Sequence, residues 1–271
     1  MPELPEVETT RRGIESHVVG KTIERLIVRD PRLRCRVSSK LVDELPGQTI
    51  QSVVRRGKYL LFVTGAGTII LHLGMSGSLR IVACSLPADK YDHVDMVLDS
   101  GDCLRLRDPR RFGALLWTRT DPMQHKLLKD LGPEPLAADF RGDYLYQKLR
   151  GRKRGIRDSL LDGRLIAGIG NIYANEALFA AGIRPARRAG GITRAHYQRL
   201  AKAIRDTLNR AIRAGGTTLR DFRASDGQPG YFQLSLKVYG REGEPCLVCH
   251  TPIRAKRLGQ RTAFYCPKCQ L

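Results

Sequence analysis

Four cysteines, Cys246 and Cys249 in "CLVCH" and Cys266 and Cys269 in "CPKC", form two C-x2-C pairs with 16 residues between them. Thiolates at that spacing suit two strand-turn knuckles converging on a tetrahedral Zn²⁺. Four sulfur ligands close the coordination shell and leave no position for a reactive water, so the single Zn²⁺ implied here is structural. "CLVCH" by itself also satisfies the C-x-x-C-H pattern of c-type haem attachment. The second C-x-x-C and the lack of an export signal favour zinc.

Three other stretches carry residue types suited to a polyanion. In "LIAGIGNIYANEALF", Gly168 and Gly170 precede a helix that begins near Asn171. Backbone N–H groups at such a helix start can hold a phosphate, although glycines there serve as readily for a tight turn. In "RLRDPRRFGALLW", Phe112 follows Arg110 and Arg111 at a bend between strands. An aromatic ring flanked by guanidinium groups can enter a base stack. On that fragment alone, the plainer reading is a solvated basic turn with a core phenylalanine. Met75 in "LHLGMSGSL" sits on a glycine-bounded turn, where an apolar tip is either core or wedge.

The elements that must position these residues can be read along the chain. Leu4, Val7, Ile14 and Val18 recur at helical spacing with Arg11 completing the stripe, and Pro5 fits a first turn. Glu6 and Glu8 then suit the positive end of the helix macrodipole. From Lys21 to about Arg119 the pattern is strand-like, in "TIERLIVRD", "TIQSVVRRGKYLLFV", "GTIILHLGM", "HVDMVLDSGDCLRLRD" and "FGALLWTR", which predicts a β-sandwich or flattened barrel. "LGPEPLAADFRG" reads as a linker, with a boundary near residue 135. Tyr197, Leu200, Ile204, Leu208 and Ile212 form one stripe on a long helix that Thr193 can cap and Gly215-Gly216 can end. "RASDGQPG", residues 223–230, reads as a mobile loop.

The 271 residues exceed the usual single-domain size and carry 47 Lys+Arg against 27 Asp+Glu, a net charge of +20. Such an excess points to nucleic acid, because each neutralised phosphate releases condensed counterions. The excess concentrates in residues 141–213, with 17 Lys+Arg and 5 Asp+Glu. The first residues do not resemble a signal peptide, and the apolar runs are interrupted, so a cytoplasmic protein without a membrane span is expected. In that reducing compartment, the scattered Cys35, Cys84 and Cys103 are expected to be buried thiols.

"MPELPEVET", "RRGKYLLF", "HLGMSGSL", "DPRRFG", "AGIGNIYANEALF" and the terminal cysteine pairs, taken in this order, resemble the bacterial formamidopyrimidine-DNA glycosylases from end to end. The resemblance implies an α+β multidomain fold. It comprises an N-terminal helix with a two-layered β-sandwich (residues 1–135), a helix-two-turn-helix domain (136–225) and a four-cysteine zinc finger (236–270). It implies a nucleoid-associated monomer that excises oxidised purines from damaged double-stranded DNA and cuts the abasic site by β,δ-elimination. After removal of Met1, Pro2 would supply the catalytic amine, with Glu3 as general acid/base and Glu6 as a structural neighbour. Lys58 matches the proton donor in β-elimination and also suits a phosphate. Arg261 matches the residue of δ-elimination, although a guanidinium is a poor acid and better suited to clamp phosphate. Arg110, Lys153 and Asn171 match DNA contacts, and Met75, Arg110 and Phe112 would fill the gap left by the everted nucleotide. Two positions depart from the family: Tyr91, where histidine is common and a DNA contact is implied, and Arg157, where lysine is common. The rival within the superfamily is an endonuclease VIII-like enzyme for oxidised pyrimidines, and "RASDGQPGYFQ" resembles the loop that covers a flipped purine. A catalytically silent damaged-DNA-binding protein is disfavoured by the intact Pro2, Glu3 and Lys58.

Overall fold

The computed structural model describes residues 2–216 and 236–271. They divide into two compact units, residues 2–129 with 214–216 and residues 130–213 with 236–271.

The first unit opens with α1 (Leu4–Val18), with Glu3 as its N-cap and Pro5 in its first turn, where the missing N–H costs nothing. Eight strands follow: β1 (Ile23–Val28), β2 (Ile50–Arg56), β3 (Tyr59–Thr64), β4 (Thr68–His72), β5 (Ser78–Ala83), β6 (Asp92–Leu98), β7 (Asp102–Arg107) and β8 (Ala114–Thr118). They form two antiparallel sheets of order β1-β6-β7-β5 and β2-β3-β4-β8. Leu26, Met96 and Leu104 of one sheet share an apolar core with Val53, Phe62 and Leu71 of the other, and Val7, Ile14 and Val18 of α1 join it. The two layers are the expected sandwich. Both β5 and the short helix α2 (Ser39–Glu44) escaped the sequence reading. Only the first residues of β5 are buried, and α2 is too short to show a period.

The cysteine expectation needs correction. Cys84 and Cys103 are joined as a disulfide with Cα atoms 5.3 Å apart, and Cys35 is a half-buried free thiol. The pairing follows from register: Val82 lies opposite Cys103, and the chain leaving β5 donates the Cys84 N–H to the Gly101 carbonyl. Residue spacing along the chain carries no trace of that cross-strand adjacency.

The second unit contains α3 (Gly142–Leu149), α4 (Ile156–Leu160), α5 (Asn171–Ala180), α6 (Arg194–Arg213) and a hairpin of β9 (Arg254–Leu258) and β10 (Arg261–Tyr265). All five members of the predicted α6 stripe are buried, and α6 packs on α3 and α5. Thr193 caps α6, its hydroxyl accepting from the His196 N–H. Among the described residues, no helix is long and apolar enough to cross a membrane.

Candidate active site and metal centre

Pro2 is buried immediately ahead of α1. Glu3 is 2% exposed and Glu6 is fully buried, and a Glu6 carboxylate oxygen accepts from the Glu3 N–H at 2.9 Å. This bond satisfies an N–H at the helix start and fixes the first residues against the helix. Glu8, one turn on, does more than face the macrodipole. It accepts from Arg12 at 2.8 Å, from Arg11, and from Arg55 of β2 at 3.1 Å, which fastens α1 to the sheet. Burial would raise the Glu8 pKa, but the bonds from Arg11 and Arg12 and the charges of Arg11 and Arg55 outweigh it and hold the carboxyl below its ordinary value.

Lys58 occupies the tip of the β2-β3 hairpin. Arg56 pairs with Tyr59, which leaves Gly57-Lys58 as a two-residue loop in which Gly57 has φ +57°. Glycine at the first loop position suits a turn whose twist matches the strands, and Lys58 is held at the apex. On β4, His72 was not singled out from sequence. Its Nδ1 accepts the Gly74 N–H at 3.0 Å, so the neutral ring carries its proton on Nε2. Burial, aided by the positive charges of Arg34 and Lys58, pushes its pKa down to about 3. Between pH 6.5 and about 3 the unfolded chain therefore binds a proton that the folded chain refuses, so stability falls as the pH is lowered through that window. His72→Gln should flatten this part of the stability profile, as thermal melts from pH 7 to pH 4 would record.

Met75 and the "DPRRFG" bend lie back to back. Gly74 has φ +66°, and a Cβ there would overlap the Phe112 backbone, so only glycine lets the two turns approach this closely. Phe112 is 43% exposed, and the Arg110 guanidinium lies 5.0 Å from its ring centroid. A large apolar ring left in solvent under a cation is not the core phenylalanine of the plainer reading. Arg111 adopts φ +58°, a rare conformation for a side chain of its size, and its guanidinium meets Asp30 at 2.7 Å.

Tyr91 precedes β6 in a loop held by a buried arginine. The Arg105 guanidinium contacts Asp95 at 2.9 and 2.8 Å and donates to the Leu86 and Pro87 carbonyls. Lys90 and Arg107 both lie over the Tyr91 ring, at 5.4 and 5.2 Å, a cation–π arrangement that adds positive charge beside the phenol.

Lys153, Asn171 and Arg261 belong to the second unit. Lys153 is exposed on a cavity of about 480 Å³ whose lining includes Lys148, Arg152, Arg154 and Arg164. Gly170 is the N-cap of α5, and Asn171 gives one amide N–H to the Thr262 carbonyl at 2.9 Å. Asn175, one turn on, accepts from the Phe264 N–H, so α5 carries the β9-β10 hairpin on two amides. Arg261 opens β10 beside the hairpin turn and is exposed. Arg157 is buried and donates to the Arg261 carbonyl at 2.6 Å and the Leu258 carbonyl at 3.4 Å, bridging both sides of that turn. A guanidinium can reach two carbonyls with one nitrogen while another pairs with Asp158 at 2.6 Å, which gives the departure from lysine a structural use. Glu176 was also missed. Its carboxylate accepts three backbone N–H groups, from Lys237, Val238 and Tyr239, and anchors the chain that leads into the finger.

The four cysteine sulfurs lie within 4.8 Å of one another, with Cys246 to Cys269 at 3.9 Å and Cys249 to Cys266 at 3.4 Å. Zinc–sulfur bonds of about 2.3 Å place tetrahedral ligands about 3.8 Å apart, so the donor set fits the ion. Backbone N–H groups of Val248 and Cys269 point at the Cys246 and Cys266 sulfurs, as thiolate ligands require. Convergence of both pairs on one point removes the haem reading. The finger holds one structural zinc.

Comparison with known proteins adds residue ranges to this geometry. Residues 1–115 match the formamidopyrimidine-DNA glycosylase N-terminal domain, 131–223 the formamidopyrimidine-DNA glycosylase H2TH domain, and 243–271 the zinc finger found in FPG and IleRS. The chain belongs to the formamidopyrimidine-DNA glycosylase family. Among its relatives, the formamidopyrimidine-DNA glycosylases of Nitrosococcus oceani and Pseudomonas entomophila are 55% and 57% identical over 270 residues, covering each chain completely. The MutM (FPG) protein of Thermus thermophilus has a TM-score of 0.88 at 40% identity, covering 99% of this chain and 98% of that one. A mutant of Lactococcus lactis FPG, solved with a Fapy-dG-containing DNA, has a TM-score of 0.92 at 36% identity and covers 99% of each chain. Members of the formamidopyrimidine-DNA glycosylase family are enzymes with both glycosylase and abasic-site lyase activity, and this chain is an enzyme of that class.

Proposed function

We propose that this formamidopyrimidine-DNA glycosylase excises 8-oxoguanine and formamidopyrimidines from damaged double-stranded DNA through the Pro2 amine, and then cuts the abasic site by β,δ-elimination. The observation that carries the reading is the placement of Pro2, buried at the start of α1 with the Glu3 and Glu6 carboxyls packed at the same helix end. With Met1 removed, Pro2 offers a secondary amine whose unperturbed pKa is about 8, so a useful fraction is neutral at physiological pH, unlike a lysine near 10.4. The amine forms a bond to sugar C1′ as the C1′–base bond breaks, and the base leaves with a proton. Loss of the amine proton and opening of the sugar ring then give an iminium that stays cationic without further protonation. That electron sink acidifies the C2′ hydrogen, and the electrons left by its removal expel the 3′ phosphate; the second elimination expels the 5′ phosphate. Glu3 moves protons at the sugar, Lys58 donates in the first elimination, and Arg261 clamps phosphate. Tyr91, Arg110, Lys153 and Asn171 are assigned to DNA contact.

Support for purine lesions comes from solved relatives with Fapy-dG-containing DNA and with carbocyclic 8-oxo-G-containing DNA. The "RASDGQPG" loop lies outside the described residues. We take the working divisions to be residues 1–135, 136–225 and 236–270, in a monomer. Borohydride reduction during turnover should trap a covalent adduct between the N-terminal residue and lesion DNA. Tight lesion binding without any adduct would instead identify a silent binder, and adducts only with oxidised pyrimidines would identify an endonuclease VIII-like enzyme.

Phe112, with Met75 and Arg110, is assigned to the gap that the everted nucleotide leaves. Unstacking a base costs a few kcal/mol, which an inserted ring offsets. Phe112→Ala should therefore slow single-turnover excision from lesion duplexes by about tenfold or more, with a far smaller loss at a preformed abasic site, where no base must be expelled. Equal losses on both substrates in a folded protein would remove the wedge assignment.

A further inference from the structure

Asp108 is fully buried, yet it lies in the same stretch as Phe112, whose ring is 43% exposed. One of its carboxylate oxygens accepts from the Ser76 hydroxyl at 2.9 Å, and the other accepts from the Gly113 N–H at 2.7 Å. Ser76 in turn accepts the Arg110 N–H at 3.2 Å. The Asp108 carbonyl accepts from the Arg111 N–H at 3.2 Å and meets His93 Nε2 at 2.9 Å, and its own N–H donates to the Tyr91 carbonyl at 3.0 Å. One buried residue thus joins the turn that follows Met75, both ends of the Arg110–Phe112 bend, and the loop that ends in Tyr91. These segments are far apart in sequence.

We propose that Asp108 is the positioning residue of the DNA-inserting array, holding Met75, Arg110 and Phe112 in one fixed arrangement before DNA arrives. The inference rests on the assignment of Phe112 and Arg110 as the wedge. The chemistry of the site calls for a carboxylate. Two donors, one of them a backbone N–H that cannot turn away, approach its two oxygens where burial leaves no solvent to replace either. Asparagine would keep one acceptor for Gly113 but turn an NH₂ toward Ser76, whose hydroxyl proton would then lose its partner. The arrangement also explains how Arg111 is kept at φ +58°: its N–H is tied back to Asp108 and its guanidinium is tied to Asp30. A ring that must enter a base stack gains from being aimed in advance, since a misplacement of about 1 Å in such a group costs up to about a hundredfold in rate.

The test is a double-mutant cycle between Asp108→Asn and Phe112→Ala, read by single-turnover excision from lesion duplexes and by cleavage of preformed abasic duplexes. Asp108→Asn should slow lesion excision by about tenfold or more and affect abasic cleavage far less. In the Phe112→Ala background, the same change should slow excision by clearly less than it does alone, because the ring it aims is gone and only Met75 and Arg110 remain to be held. Fully additive losses, or equal losses on the two substrates, would overturn the proposal and leave Asp108 as a fold-stabilising residue. If Asp108→Asn does not fold, Ser76→Ala decides, since it removes only the bridging hydroxyl. A selective loss on lesion duplexes supports the latch, and an unchanged rate sinks it. Failure of the wedge assignment itself is separate, because Phe112→Ala alone would then lower both activities equally.

Discussion

Protein that retains Met1, or that carries any N-terminal extension, should lose base excision by at least about a thousandfold, the scale on which removal of a covalent nucleophile acts. The reason is specific to an amine at the chain start: an acylated nitrogen has no lone pair to give to C1′, whereas every contact made by side chains elsewhere is untouched. Affinity for a lesion duplex should accordingly change by less than about threefold, and α1 should remain folded, since its capping bond comes from Glu6 rather than from the terminal nitrogen. Pro2→Gly supplies a contrast. A primary amine can still form an imine, but that imine must be protonated to become an electron sink, so borohydride trapping should persist while elimination slows. Intact mass, single-turnover excision and trapping on the same preparations settle the matter. Full activity in protein shown to begin at Met1 would end the proline mechanism.

Removal of the metal should have the next largest effect. The finger's apolar core consists of little more than Val238, Ile253 and two of the ligands themselves, with Phe179 and Phe264 packed against it. Such a cluster buries too little to hold a fold, so binding of zinc, worth about 10–16 kcal/mol in isolated fingers, is the folding free energy of this segment. Chelation or Cys249→Ser should therefore unfold the β9-β10 hairpin and release Arg261 from the turn that Arg157 bridges. DNA affinity at fixed salt should fall by about a hundredfold, because the contacts of a whole element are lost together. Helices α3 to α6 should stay folded on their own core, where α6 packs on α3 and α5. Fluorescence anisotropy with a lesion duplex, beside circular dichroism, would measure both. Zinc-free protein with undiminished affinity would mean that the finger does not serve binding.

What the sequence determined by itself is whatever depends on short spacing and on residue type. The C-x2-C pairs, the α1 stripe headed by Pro5, the α6 stripe with Thr193 as its cap, and most of the strands are local patterns, and each of these elements lies where its pattern puts it. The site residues came from ordered motifs, and a motif states which residues occur without stating what holds them. Tertiary structure alone decided the rest, because cross-strand register and burial join positions that the chain order keeps apart. Cys84 meets Cys103 only through the pairing of β5 with β7, Arg157 meets Arg261 only because α4 lies under the hairpin turn, and Asp108 meets Ser76 only because Gly74 lets two turns touch. Asp108 and Ser76 stood in plain sight in "DPRRFG" and "HLGMSG". Their polar side chains looked like ordinary turn residues until burial removed the water that would have satisfied them, and each then required a partner that only the fold could supply.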